Sequence, residues 1–133
     1  MRDHLLLENL FKEKLEKAYQ LATEQGFSIS ISIVDSSGLL RQFMRMDGAV
    51  AGTIDVSIKK ARTAALFGMN SFNFGQFANP NGAIYSIEHT NGGLISFGGG
   101  VVLYNEYQEL VGAIGVAGAS VEADQSIALA AAE

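Results

Sequence analysis

Cysteine and tryptophan are absent from the chain, and proline occurs once, at Pro80. Without cysteine there is no disulfide framework, no zinc–thiolate centre and no thiol nucleophile. Two histidines, His4 and His89, leave few ways to build a Ser-His-Asp set, and no G-x-S-x-G elbow occurs. Clustered positive charge is also missing. The longest basic run is Lys59-Lys60, and the formal net charge is −5. Displacing counterions from nucleic acid needs clustered cations, so nucleic acid is disfavoured as a partner, and an anionic membrane surface on the same ground. No segment approaches the roughly 18 apolar residues that open the way to a spanning helix. Leu5-Leu6-Leu7 is too short for the apolar stretch of a signal peptide. The expectation is a cytoplasmic protein with no membrane partner.

What is present reads as one domain over residues 1–133. Of the residues, 48% are hydrophobic and 17% charged, a globular balance. A fold of this length hides roughly two-thirds of its extended surface, enough for a core without staples.

Residues 4–25 set Leu7, Phe11, Leu15, Ala18 and Ala22 on one helical stripe, and Gly26 ends it. Over 28–34 the period changes: Ile29, Ile31 and Ile33 alternate with serines, the pattern of a half-buried strand. The turn residues Asp35-Ser36-Ser37-Gly38 lead into an antiparallel partner over 39–46. Thr53 can cap a second helix reaching about Leu66, with Ile54, Ile58, Ala61 and Ala65 inside and Lys59, Lys60 and Arg62 directed elsewhere. Residues 68–83 mix Phe72, Phe74 and Phe77 with glycine and asparagine, the composition of a partner surface or pocket lid. Residues 83–90 fit a short helix or a strand. Three further strands are expected over 94–97, 101–104 and 110–116, and Ser120 can cap a last helix. Short turns make strand neighbours antiparallel. The predicted class is α+β, a five-stranded antiparallel sheet flanked by helices.

Five features carry candidate chemistry. Gly112 to Gly118 leads from a strand into a helix, but its G-x-x-G-x-x-G spacing is not the dinucleotide fingerprint G-x-G-x-x-G. Close packing explains these glycines better. Ser120 stands at the helix start that follows, where an anion can bind, although ordinary capping explains it as well. Gly98, Gly99 and Gly100 can bring bare backbone against a flat ligand, or simply let the chain turn. Arg45, Asp47, Lys60 and Thr63 form a group able to hold a carboxylate or phosphate, with a structural ion pair as the competing reading. His89 is the one imidazole away from the N-terminus, a candidate axial ligand of a haem against the plain alternative of an exposed histidine. No catalytic residue is singled out.

Four blocks then carry a family resemblance: Val34-Asp35 with Gly38; Arg45-Met46-Asp47-Gly48-Ala49; Lys60-Ala61-Arg62-Thr63-Ala64; and Gly98-Gly99-Gly100 followed by Val111 to Gly118 through Asp124. In these the chain resembles the GlcG/HbpS-like proteins, which include the C-terminal domain of PduO-type proteins from propanediol operons. The resemblance implies a profilin-like fold and homo-oligomers from dimer to octamer. It also implies haem or corrinoid binding, redox sensing, or a part in glycolate or propanediol use. Some haem-binding relatives place a histidine on the first helix, where this chain carries only His4 at the start. The expected function is a non-catalytic, or at most weakly catalytic, module for a small-molecule ligand, a haem or a corrinoid. The alternatives are an enzyme or sensor for a small anionic metabolite and an assembly scaffold.

Overall fold

The computed structural model describes residues 2–133, with side chains from residue 6 onward. Helix α1 (Arg2–Gln25) precedes the hairpin β1 (Ser30–Asp35) and β2 (Leu40–Arg45). Helices α2 (Thr53–Phe67) and α3 (Ser71–Ala78) follow, then a single 3-10 turn at Ile87–His89. Strands β3 (Gly100–Tyr104) and β4 (Leu110–Ala117) and helix α4 (Val121–Ala132) complete the order. The strands lie in the order β2-β1-β4-β3, all antiparallel. This is an α+β fold with helices flanking an antiparallel sheet.

Four strands form, where five were expected. The segment 94–97 forms no strand, and its hydrogen bonds go elsewhere. The Ile95 N–H donates to Thr63 Oγ1 at 3.0 Å, and the Leu94 N–H to Glu88 O at 3.0 Å. Its backbone lies against α3 so closely that a Cβ on Gly75 would stand 2.0 Å from Ser96 O. A helix flank has taken the place of a strand neighbour. Residues 83–90 settle into turns around the 3-10 turn rather than a regular helix or strand.

Register fixes the two faces. Ile31 pairs with Val116 and Ile33 with Ile114 on one face; Ser30 pairs with Ala117 and Ser32 with Gly115 on the other. The first face joins Val101 and Leu103 against α1 and α4 in the main core, with Phe11, Leu15, Ala18, Ala22 and Ile127. The serine face is not wet, as alternation had suggested: Ser30 and Ser32 are fully buried under α2. Alternation reports that two faces differ, not that one of them meets water. The buried hydroxyls meet hydroxyls from the helix, Ser30 Oγ to Thr53 Oγ1 at 2.9 Å and Ser32 Oγ to Ser57 Oγ at 2.6 Å. Each polar group is thereby satisfied out of water.

Helix α2 is rotated from the expected stripe. Thr53, Ser57, Lys60, Ala61, Thr63, Ala64 and Ala65 are buried, while Ile54 and Ile58 are only half-buried. Small groups face the sheet because the backbones approach very closely. A Cβ on Gly115 would stand 1.9 Å from Ser57 O, and one on Gly100 2.2 Å from Lys60 O. Thr53 does not cap the helix: Gly52 holds that position, and the Thr53 hydroxyl donates to Val50 O at 2.6 Å. The same rotation carries Lys60 inward, correcting its expected outward course.

Candidate functional site

Lys60 lies under the glycine run. Lysine is almost never fully buried without partners, and this one is 1% exposed. Its Nζ donates to Val116 O at 2.8 Å and to Asp124 Oδ2 at 3.2 Å. The other oxygen of Asp124 accepts the Ala119 N–H at 2.9 Å, just before α4. The third neighbour is aromatic: Nζ stands 5.1 Å from the centroid of the Phe97 ring, a cation–π distance. Burial pushes the Lys60 pKa down from its ordinary 10.5, and the Asp124 carboxylate opposes that shift through its charge and its hydrogen bond.

The glycines are needed where backbone passes over this pair. Gly99 has φ +126°, and a Cβ there would lie 2.6 Å from both Lys60 Nζ and Val116 O. Only glycine adopts that conformation freely. The run is tied down on several sides. The Gly99 N–H donates to Gln125 Oε1 at 2.8 Å, Gly99 O accepts the Val116 N–H at 2.9 Å, and the Gly100 N–H donates to Ser71 Oγ at 2.9 Å.

Beside the run opens a shallow depression of about 570 Å³. Phe72, Gly75, Gln76 and Asn79 supply one wall from α3 and its end, Ser96, Phe97 and Gly98 the floor, and Val121 the far side at the start of α4. Phe72 and Phe97 remain 54% and 43% exposed. A smaller hollow of about 320 Å³ between α1 and β2 is lined mainly by Glu8, Asn9, Lys12, Arg41 and Gln42 around the Phe11 ring. It lacks the flat apolar walls of the first.

The sequence-level candidates separate into distinct places. Gly98 to Gly100 and Lys60 come together. Thr63 is buried one turn along α2, its hydroxyl donating to Lys59 O at 2.8 Å and accepting from Ile95. Arg45 is exposed at the end of β2 and Asp47 just beyond it, and the Arg45 Nε–H donates to Ala49 O at 3.0 Å. Arg45 and Lys60 thus have separate partners rather than one shared anion cradle. Ser120 caps α4, its Oγ accepting the Ala123 N–H at 3.1 Å. His89 is exposed on the 3-10 turn and is not among the lining residues of the depression. The side chain of His4 lies outside the described residues. No cluster of three metal-ligating side chains occurs among the described residues, and no described helix is long and apolar enough to cross a membrane.

Residues 8–133 match the family model described as haem degrading protein HbpS-like. The chain belongs to this family. It is 32% identical over 123 residues to the corrinoid adenosyltransferase PduO of Salmonella typhimurium, covering 92% of this chain and 35% of that protein. The chain therefore spans about a third of the length of that relative. Its fold superposes on a crystal structure named as a PduOC:heme complex with a TM-score of 0.87 and 30% identity, covering 92% of this chain and 89% of that one. A Streptomyces reticuli HbpS double mutant gives 0.83 and 25% identity, covering 93% of this chain and 82% of that one.

In this HbpS-like chain, reading the sequence missed Asp124 as the partner of Lys60, and Phe97, Gln125 and Ser71 as the groups around the glycine run. Asp124 lies 64 positions from Lys60, so no local spacing announces the pair. A signal did exist for Lys60. Thr53, Ser57, Lys60 and Ala64 recur at steps of three and four on α2, a stripe of small or polar groups with one lysine in line.

Proposed function

We propose that the chain, as one module spanning 1–133, binds the face of a flat tetrapyrrole, a haem or a corrinoid, in the depression beside Gly98. The observation that carries this reading is the pair of exposed rings, Phe72 and Phe97, lining one depression. Exposed aromatic faces stack well on planar π systems. The names of two similar proteins, a heme complex and a corrinoid adenosyltransferase, support the same ligand class.

These walls suit the face of the macrocycle but not its metal. The lining contains no imidazole, thioether or phenol, so no axial contact and no chemistry at the metal is derived from it. His89 would serve as axial ligand only from outside the depression. An open shelf also covers a single face of a plane, and a second copy in a homo-oligomer would cover the other. The reading with an anionic metabolite as ligand loses its paired cations, since Lys60 is buried against Asp124 while Arg45 is exposed at the end of β2 with its Nε–H on Ala49 O.

Titration with hemin and, separately, with cobalamin tests the proposal. The expected outcome is a saturable spectral change with at least one of them, weakened in Phe72→Ala and Phe97→Ala. A haem response lost in His89→Ala would make His89 the axial ligand. Spectra identical to those with an inert protein for both ligands would reject the reading.

A further inference from the structure

The tetrapyrrole reading leaves the most unusual group of the molecule unused. Lys60 is a buried amine 3.2 Å from a carboxylate oxygen and 5.1 Å from the ring centroid of Phe97, whose partly exposed ring forms part of the floor of the depression. An ammonium has three N–H donors. Two are used by Val116 O and Asp124 Oδ2. The Phe97 ring stands on a further side of Nζ, with the Gly99 backbone close by, and rotation about the Cε–Nζ bond can turn the lone pair of the neutral amine toward the ring. An amine desolvated among packed groups is also the kind that reacts as a nucleophile near neutral pH, and burial pushes this one in that direction.

We propose that Lys60 is an imine-forming site for a small apolar aldehyde that enters from the depression when the Phe97 ring swings aside. The glycine run is suited to such an opening, because no side chain of its own stands between Phe97 and Nζ. Asp124 manages the protons. It first takes one from the Lys60 ammonium, and the neutral amine attacks the carbonyl carbon. A C–N bond forms as the carbonyl π pair moves to oxygen, which takes the proton held by Asp124. One proton of the new N–H groups then returns to Asp124 and passes to the hydroxyl, which leaves as water. The nitrogen pair closes the C=N bond. A protonated imine facing an ionised Asp124 replaces the ammonium facing it, so charge and atoms balance with no redox partner. The rings of Phe97 and Phe72 favour an apolar carbonyl compound over a charged one, and no cation lines the depression to hold a carboxylate or phosphate.

The test is reductive trapping. The intact protein is incubated at neutral pH with benzaldehyde and sodium cyanoborohydride, and benzylated lysines are mapped by peptide mass spectrometry. Lys60 is expected to be labelled faster than the exposed Lys12 in the folded protein. That preference should vanish in urea, where both are ordinary lysines. Phe97→Ala, which removes the door, should accelerate labelling of Lys60 and leave Lys12 unchanged. Asp124→Asn, checked for folding by circular dichroism, should slow Lys60 alone. Label confined to exposed lysines in both the wild type and Phe97→Ala would overturn the proposal. That result would not touch the tetrapyrrole reading, whose readout is a spectrum and not a covalent adduct.

Discussion

A single lysine sets the electrostatics of the interior. Removing one member of a buried ion pair leaves the other uncompensated, a loss of about 3–5 kcal/mol in comparable cases. Lys60→Met is therefore expected to destabilise the fold by that order, read from urea unfolding. The wild type also carries a pH signature. Because burial lowers the pKa of Lys60, both states hold its proton below the lowered value, and neither holds it well above 10.5. Between the two only the unfolded chain binds it, so the Lys60 contribution makes stability rise with pH across that window. Lys60→Met should lack that rise, which the difference between the two proteins reads out. A wild-type contribution that falls through the window would contradict the burial argument. Lys60 itself was legible as a candidate, since a lysine in the Lys-Ala-Arg-Thr-Ala block stood out. Its role was not, because Asp124 comes from a different helix and a different part of the chain.

Elements whose identity rests on local periodicity were readable, and those that depend on what packs above them were not. α1, the β1–β2 hairpin, β3, β4 and α4 fall close to where the patterns of Leu7 to Ala22, Ile29 to Ile33 and Leu110 to Val116 put them. The expected strand over 94–97 failed because its backbone donors are taken by Thr63 and Glu88, contacts that no alternation encodes. The inward face of α2 was half misread for a related reason: Ala61 and Ala65 are buried as expected, Ile54 and Ile58 only in part. Apolar residues normally mark the buried side, but here the helix lies on glycines and serines, where only small groups fit. Gly115 sits at the closest point. In Gly115→Ala the new methyl would meet Ser57 O, a backbone atom that cannot swing away. Overpacking of this kind costs about 1–3 kcal/mol, and thermal denaturation should show at least that loss. Gly52→Ala is the matched control, since its backbone is helical and nothing stands within 4 Å of the added carbon. Its melting temperature should hardly move. Equal losses in the two variants would mean that α2 does not rest on the sheet as closely as this.

At the scale of the molecule, three exposed apolar side chains from different elements share one place. Phe72, Phe97 and Val121, each more than 40% exposed, gather at the depression, with Phe77 on the same helix as Phe72. Exposed apolar side chains that share a hollow mark a candidate binding place. If the occupant is a plane, half of its area still faces water after it settles on this shelf, and the cheapest apolar cover is a second identical shelf related by a twofold axis. Closed symmetry of that type is the commonest in soluble assemblies. Ligand and assembly would then be linked: whatever binds only at the joined shelves also favours the joined state by mass action. Light scattering at micromolar protein should accordingly give a mass of at least two chains, and a ligand-responsive fraction should shift further toward the larger species when hemin or cobalamin is added. Phe72→Ala, which strips the shelf without entering the core, should reduce both the mass and its response. One-chain mass throughout, with and without ligand, would separate the shelf from any partner copy and leave a bound plane with one wet face.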